Sequence, residues 1–513
     1  METHAVFNQP PPLEDYNVFA ADRPLTEALR REGAAWAEER AYAFGEIVGR
    51  RETIAWGFQA NDNRPVLRTH DRAGNRIDEV EFHPSWHSLM NLAVGNGLHA
   101  LPWIEPRPGA HAARAALFFT LAQVEAGVGC PLSMTYSAVP ALRREPEAAA
   151  EWEPRIKNGA LFGMAMTEKQ GGSDVRANTT RAEPLTETEY ALTGHKWFCS
   201  APMCDAFLML AQAPGGLTCF LLPRRLPDGA RNRFHIQRLK DKLGNRSNAS
   251  SEIELRSAWA RRIGEEGRGV PTILEMVTHT RLDCVTGSAA SMRQGTAQAI
   301  HHARHRKTFG SLLSEHALMR NVLADLAIES EAATVSMMRL ARAYDEEDGP
   351  FRRLATAVLK YWVCKRAPVH AAEALECLGG NGYVAEWPLA RVYREAPLNS
   401  IWEGSGNIQC LDVLRAVTRT PEALEAVLEE IALANDERLL AGLRDDLSET
   451  GARRFVERLA LALQASLLIR HAPAAVADAF YATRIAGEGG RAFGTLPAGT
   501  KVEAILERHA PVS

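Results

Sequence analysis

The residues best suited to chemistry fall within one stretch, residues 399–409, NSIWEGSGNIQ. It places a single carboxylate, Glu403, between the large aromatic Trp402 and the small run Gly404-Ser405-Gly406-Asn407. Glycine lets a backbone approach a ligand closely and adopt positive φ. A carboxylate beside an aromatic is partly desolvated, which raises its pKa toward the range of a base working near neutral pH. The plain alternative is a Gly-rich connector that carries an exposed Glu.

Three further stretches invite a ligand. Residues 167–174, TEKQGGSD, offer hydroxyls from Thr167 and Ser173, backbone N–H groups around Gly171 and Gly172, and the Asp174 carboxylate. Such a loop suits the edge of a planar heterocycle or a phosphate. It has neither the Lys-Ser/Thr ending of a P-loop nor a GxGxxG spacing. Arg306-Lys307-Thr308-Phe309-Gly310 sets two cations and a hydroxyl where a pyrophosphate could be neutralised, with Phe309 able to pack on an adenine. The same cations would equally complement the end of a helix dipole. Leu378-Gly379-Gly380-Asn381 permits another close backbone approach, or simply ends a helix.

The elements that must position these stretches are set by the pattern of apolar residues. A Pro-rich arm, Gln9 to Pro12, is extended, and from Leu25 the period is helical, broken at residues 61–65 and 71–75. His83-Pro84-Ser85-Trp86-His87 opens another helix, residues 112–125 form a strong one, and Pro131 interrupts the segment after it. Between residues 159 and 268 short alternating runs (190–200, 206–212, 217–222, 234–238 and 251–255) are divided by turn chemistry such as Ala213-Pro214-Gly215-Gly216, which predicts a small β-barrel or sandwich. Helical period then returns over 270–306, 315–344, 354–378 and after Gly406, which predicts an antiparallel bundle. The expected division is 1–158 helical, 159–268 β, 269–420 a helical bundle, and 421–513 a further helical segment.

Composition limits the function classes. The chain has 513 residues, 46% hydrophobic and 24% charged, with a net charge of −4, so no global charge advertises a polyanion partner. Eight cysteines are scattered without CxxC pairs, which reads as reduced thiols of a cytoplasmic protein and predicts no metal site. No apolar run reaches membrane-spanning length.

Taken in order over residues 160–415, the motifs resemble those of the flavin-dependent acyl-CoA dehydrogenases. The resemblance implies a helical domain, a β-barrel and a four-helix bundle, with FAD held by Met164, Met166, Thr167, Gly172, Ser173 and Ser200 around the flavin ring and by Trp197 and Phe198 on its face. It implies Glu403 as the catalytic base, Trp402 beside it, and Ser405 and Asn407 as cofactor contacts. Arg306, Phe309 and Gly380 would meet the ADP part of FAD, partly across the subunit interface of a homotetramer. Some relatives carry the base on the long helix just before an Arg; here Thr280 precedes Arg281, which leaves Glu403. A family acid that holds the acyl-CoA end falls at Thr278, and Glu376 stands where the family carries an amide.

The likeness is closer to one branch of that family, associated with the response to DNA alkylation damage. MTEKQGGSDV, NTTRAE, GHKWF, RLKDKLGNRSNAS and NSIWEGSGNI carry it, and it extends to THAVFNQP and AQVEAG near the start. That branch has an extra C-terminal helical domain in which DNA binding is placed. Here acids prevail over residues 422–449, nine of them, Asp445 and Asp446 included, against Arg438 and Arg444, and beyond them eight Lys and Arg face five Asp and Glu. The expected function is an FAD-containing protein that binds double-stranded DNA through Arg454, Arg458, Arg470 and Arg484 and protects it from alkylation. The alternative is a metabolic acyl-CoA dehydrogenase that uses its tail only for assembly.

Overall fold

The structure, a computed structural model, describes residues 3–511 apart from Glu347 and Asp446. Asp446, counted above among the tail acids, thus lies outside the described residues. The protein is mainly helical and contains a closed β-barrel sheet. It folds into two compact units, one of residues 1–54, 108–124 and 284–513, the other of residues 55–107 and 125–283.

The second unit begins its β structure with a hairpin, β1 (Val66–His70) and β2 (Arg76–Glu81). Residues 71–75, expected from sequence to be a break between helices, are instead the hairpin turn. Asp71 builds it, its Oδ1 accepting from the backbone N–H groups of Ala73 and Asn75 at 2.8 and 2.9 Å. The strands escape the periodicity argument because both are half-exposed and rich in charge. Pro131 does not interrupt a helix. It lies in the first turn of the Gly129–Leu142 helix, where its missing N–H would have no partner anyway.

The barrel consists of β3 (Phe162–Ala165), β4 (Arg181–Pro184), β5 (Glu189–Ser200), β6 (Ala206–Ala213), β7 (Gly216–Pro223), β8 (Phe234–Leu239) and β9 (Ser250–Ile263). β6, β4, β5, β9 and β7 pair in sequence, and β6–β7 closes the ring. β3 shares the edge of β6 with β4, and β8 shares the edge of β9 with β7. β6 and β7 are largely buried on both faces and read as nearly continuous apolar runs, whereas β5 mixes buried, half-buried and exposed positions.

The first unit is a bundle around the Ala317–Asp345 helix, whose residues 323–341 are all buried. Packed on it are the Gly349–Glu376 helix, the tail helices Ala452–His471 and Val502–His509, and the early helices Arg23–Leu29 and Ala110–Ala122. A helix covered on every side leaves its acids no water, so each needs a cation. Glu329 meets Arg366 at 2.8 Å and Arg484 at 2.9 Å, Asp325 meets Arg484 at 2.6 Å, and Glu331 meets Arg508 at 2.9 Å. Burial would raise the Glu329 carboxyl, but Arg366 and Arg484 outweigh it and hold it at about 2. The 37-residue helix Gly269–His305 is the longest element, and the division between the units falls within it.

Candidate functional site

In the second unit the 164–174 loop is fastened to the barrel from beneath. Glu168 and Lys196, both side chains fully buried, form an ion pair at 2.8 Å. Glu168 also accepts from the Thr179 N–H at 2.6 Å, and Lys196 donates to the Leu210 carbonyl of β6 at 2.7 Å. Burial would raise the Glu168 carboxyl, but Lys196 reverses this and brings it to about 2. Glu168 falls in a sequence motif, but nothing in the sequence gives either residue a role: their neighbours along the chain are half-buried or exposed, and the pair is visible only once the strands are paired.

Above that pair the loop presents its ligand-type groups. The Trp197 N–H donates to the Thr167 carbonyl at 2.8 Å, and Met166 accepts at its carbonyl from Asn178 Nδ2 at 2.9 Å. Met164 is in β3, Ser173 is exposed on the loop, and Ser200 ends β5 with its Oγ 3.2 Å from Ser250 Oγ. Lys240 Nζ sits 3.4 Å from the centre of the Trp197 ring, which orients the indole, and Phe198 is about half exposed at 47%. A Cβ on Gly172 would come within 2.5 Å of Thr167 Oγ1, so the loop closes this tightly only with glycine there. Hydroxyls and glycine backbone at an edge, with half-exposed aromatics beside them, fit a planar heteroaromatic ring. The barrel thus brings together Met164, Met166, Thr167, Gly172, Ser173, Trp197, Phe198 and Ser200.

The remaining predicted residues belong to the first unit. Glu403 adopts φ +57°, the left-handed region that costs a non-glycine residue about 1–2 kcal/mol. Two buried side chains hold that turn. Lys360 Nζ donates to the carbonyl oxygens of Trp402 at 2.7 Å and of Gly404 at 2.5 Å, one on each side of Glu403. Gln409 Nε2 donates to the carbonyls of Glu403 and Gly404 at 3.0 and 2.9 Å. The Trp402 indole N–H donates to Asn399 Oδ1 at 2.9 Å. Ser405 stands at the N-cap position of the helix Gly406–Arg419 without a side-chain capping bond, and Asn407 is exposed in its first turn. No sequence signal singles out Lys360, a lysine in a helix of ordinary composition.

Arg306 precedes a tiny hairpin, Lys307–Thr308 paired with Ser311–Leu312, and Phe309 lies in its turn. Asn8 of the N-terminal arm clamps it, donating to Lys307 O and accepting from Lys307 N, both at 2.8 Å, while Arg306 donates to Asn8 O at 2.6 Å. Phe309, with φ +52°, is fully exposed, and Gly380 opens the short helix Gly380–Tyr383. Glu275, on the long helix, pairs with Arg144.

The tail arginines divide into two kinds. Arg454 and Arg458 are exposed on the Ala452–His471 helix. Arg470 pairs with Glu430, and Arg484 is spent on Asp325 and Glu329 inside the bundle. Among the described residues no group of His, Cys, Asp and Glu could hold a metal ion, no helix is long and apolar enough to cross a membrane, and all eight cysteines are buried.

A helical bundle and a closed barrel with these motifs define an acyl-CoA dehydrogenase fold, and the models of that family's middle and C-terminal domains match residues 163–258 and 267–418. Residues 8–160 match the N-terminal domain of adaptive response protein AidB. The chain belongs to the acyl-CoA dehydrogenase family, in its AidB branch: it is 44% identical to AidB of Escherichia coli (strain K12) over 95% of this chain and 96% of that one. It is 30% identical to acyl-CoA dehydrogenase family member 11 of Caenorhabditis elegans over 90% of this chain and 79% of the relative. The crystal structure of Caenorhabditis elegans ACDH-11 in complex with C11-CoA superposes with a TM-score of 0.85 at 25% identity, covering 100% of this chain and 95% of that one.

Proposed function

We propose that this protein carries FAD, binds double-stranded DNA and protects it from alkylation damage, with weak acyl-CoA dehydrogenase-type chemistry at Glu403, as a cytoplasmic homotetramer. The observation that carries the reading is the end-to-end likeness to AidB, which includes the tail beyond residue 420 and not only the dehydrogenase core. The barrel loop supports the cofactor, since its hydroxyls, aromatics and Gly172 suit the flavin ring. When bound, the flavin would supply a two-electron acceptor. Glu403 would take the proton from the carbon next to a thioester carbonyl, its carboxylate aimed by the Lys360 and Gln409 clamp. Arg306, Phe309, Gly380, Ser405 and Asn407 would hold the remainder of the cofactor.

For DNA, Arg454 and Arg458 are the favoured contacts, because both are exposed on the Ala452–His471 helix, where a phosphate can reach them. The test is a titration of the purified protein with a DNA duplex at low and moderate salt, with bleaching of the flavin by a short branched acyl-CoA followed in parallel. Salt-sensitive duplex binding with slow bleaching is expected; rapid bleaching with no duplex affinity would overturn the DNA reading. That second result would favour a metabolic acyl-CoA dehydrogenase, a reading supported by the strained and doubly clamped Glu403, which a vestigial base would not require.

A further inference from the structure

The segment 223–235, PRRLPDGARNRFH, carries four arginines and a histidine against one acid, Asp228. It leaves β7, reverses at Pro227-Asp228-Gly229 and enters β8. The Leu226 N–H donates to Ala230 O at 2.8 Å, and a bridge places Arg225 opposite Arg231. Asn232, buried, locks the ends of this hairpin by donating to the carbonyls of Pro223 and Trp259, both at 2.8 Å. A fifth arginine arrives from the β1–β2 hairpin, where Arg76 donates to Ile236 O at 2.7 Å. Together these residues line a recess of about 120 Å³ in the second unit, with Asp78 and His235 in its wall. A water needs only ~10–15 Å³, so several waters or one tetrahedral oxyanion can be accommodated.

The charges in the recess do not balance. Arg76 is met by Asp78 and Arg231 by Glu79, each at 2.8 Å. Arg224 and Arg225 reach only carbonyls, those of Met203 at 2.7 Å and Gly229 at 3.2 Å. Among the described residues no carboxylate pairs with Arg224, Arg225 or Arg233. Burial pushes the Arg224 guanidinium down from its usual value, and Arg231 beside it adds to the effect. Crowding guanidiniums in this way is unfavourable unless an anion shares them. Two buried polar atoms in the wall, His235 Nδ1 and Asp78 Oδ1, also have no hydrogen-bond partner. The first can donate to an oxyanion. The second can only accept, which suits a phosphate that still carries a proton.

We infer that this recess binds a phosphate group, free or as the terminal monoester of a small molecule, through Arg224, Arg225 and Arg233. Neither the tail arginines nor the flavin residues take part, so the site is additional to the function proposed above.

The test uses the full-length protein as purified, inorganic phosphate as the probe and sodium chloride at matched ionic strength as the control. Arg225 and Arg233 are exposed, so R225Q/R233Q leaves the core untouched. Phosphate is expected to raise the melting temperature of the wild type, and the variant to need at least tenfold more phosphate for the same shift. D78N, at a positive-φ position that asparagine tolerates, is expected to lose the preference for phosphate over sulfate. Equal protection of wild type and R225Q/R233Q, or none in either, would overturn the assignment. A short duplex without terminal phosphates distinguishes the other source of this chemistry. If R225Q/R233Q weakens duplex binding and lowers its salt slope by about 2, at ~0.9 per phosphate contact, the recess holds DNA backbone and the free-phosphate assignment falls. Unchanged duplex binding, with phosphate protection lost, upholds it.

Discussion

Arg453 donates from Nε to Oδ1 of Asn407 at 2.9 Å, tying the first turn of a tail helix to the turn just beyond Glu403. The amide oxygen of Asn407 is therefore occupied, and its NH₂ is left for a ligand. Arg453→Ala is expected to loosen flavin retention severalfold while leaving stability within about 0.5 kcal/mol of wild type, as for other exposed positions. Measured by flavin release on dilution, an unchanged off-rate would remove Asn407 from the cofactor contacts.

Lys360 and Gln409 make the turn at Glu403. Lys360→Met deletes two charge-assisted bonds from a fully buried amine, worth about 1.5–3 kcal/mol each. The variant should melt at lower temperature, with weaker acyl-CoA turnover than its residual folded fraction explains. Glu403→Gln preserves the shape and should reduce acyl-CoA bleaching about 10²- to 10⁴-fold, the usual range for a general base, with flavin content unchanged. Bleaching at the wild-type rate would exclude Glu403 as the base.

The two kinds of tail arginine predict opposite phenotypes. Arg484→Ala strands Asp325 in the bundle, leaves Glu329 with Arg366 alone, and should cost about 3–5 kcal/mol of stability. Arg454→Ala with Arg458→Ala should leave stability almost unchanged and reduce the salt dependence of duplex binding. Denaturant melts and salt titrations of the same preparations separate the two effects.

The pH response of the barrel is governed by Glu168. Its folded pKa of about 2 lies below the ordinary carboxylate value near 4.3. The stability it contributes is therefore complete above that ordinary value and is lost as the pH falls from there toward 2. Glu168→Gln should abolish this acid-dependent component and destabilise the barrel at neutral pH, because Lys196 stays buried without its partner. Thermal melts from pH 5 to 2 on both proteins would show the two curves converging at the acid end.

Much of this architecture is legible in the residues. The helix expected over 270–306 is Gly269–His305, and the run expected over 234–238 is β8 at Phe234–Leu239, since long apolar periods and turn residues fix such elements locally. The strand expected over 251–255 extends to Ile263, because pairing with β5 and β7 carries it past its apolar centre. The tail is harder. Arg454 and Arg470 look alike in sequence, and only the fold reveals that Glu430 waits beside one of them. Lys360 and the Glu168–Lys196 pair are hidden for the same reason: a charge looks solvent-facing until its distant partner is known.

The clamp of Asn8 on the Lys307 hairpin bears on how the chain is made. The unit containing that clamp also needs residues 284–513, whereas residues 55–107 and 125–283 make up a unit of their own. On a ribosome, the interior unit can therefore condense while the opening segment is still waiting for helices not yet synthesised. Val6 and Phe7, exposed even in the finished fold, travel on that waiting segment. Synthesis thus imposes a delay during which that segment is vulnerable to proteolysis and self-association.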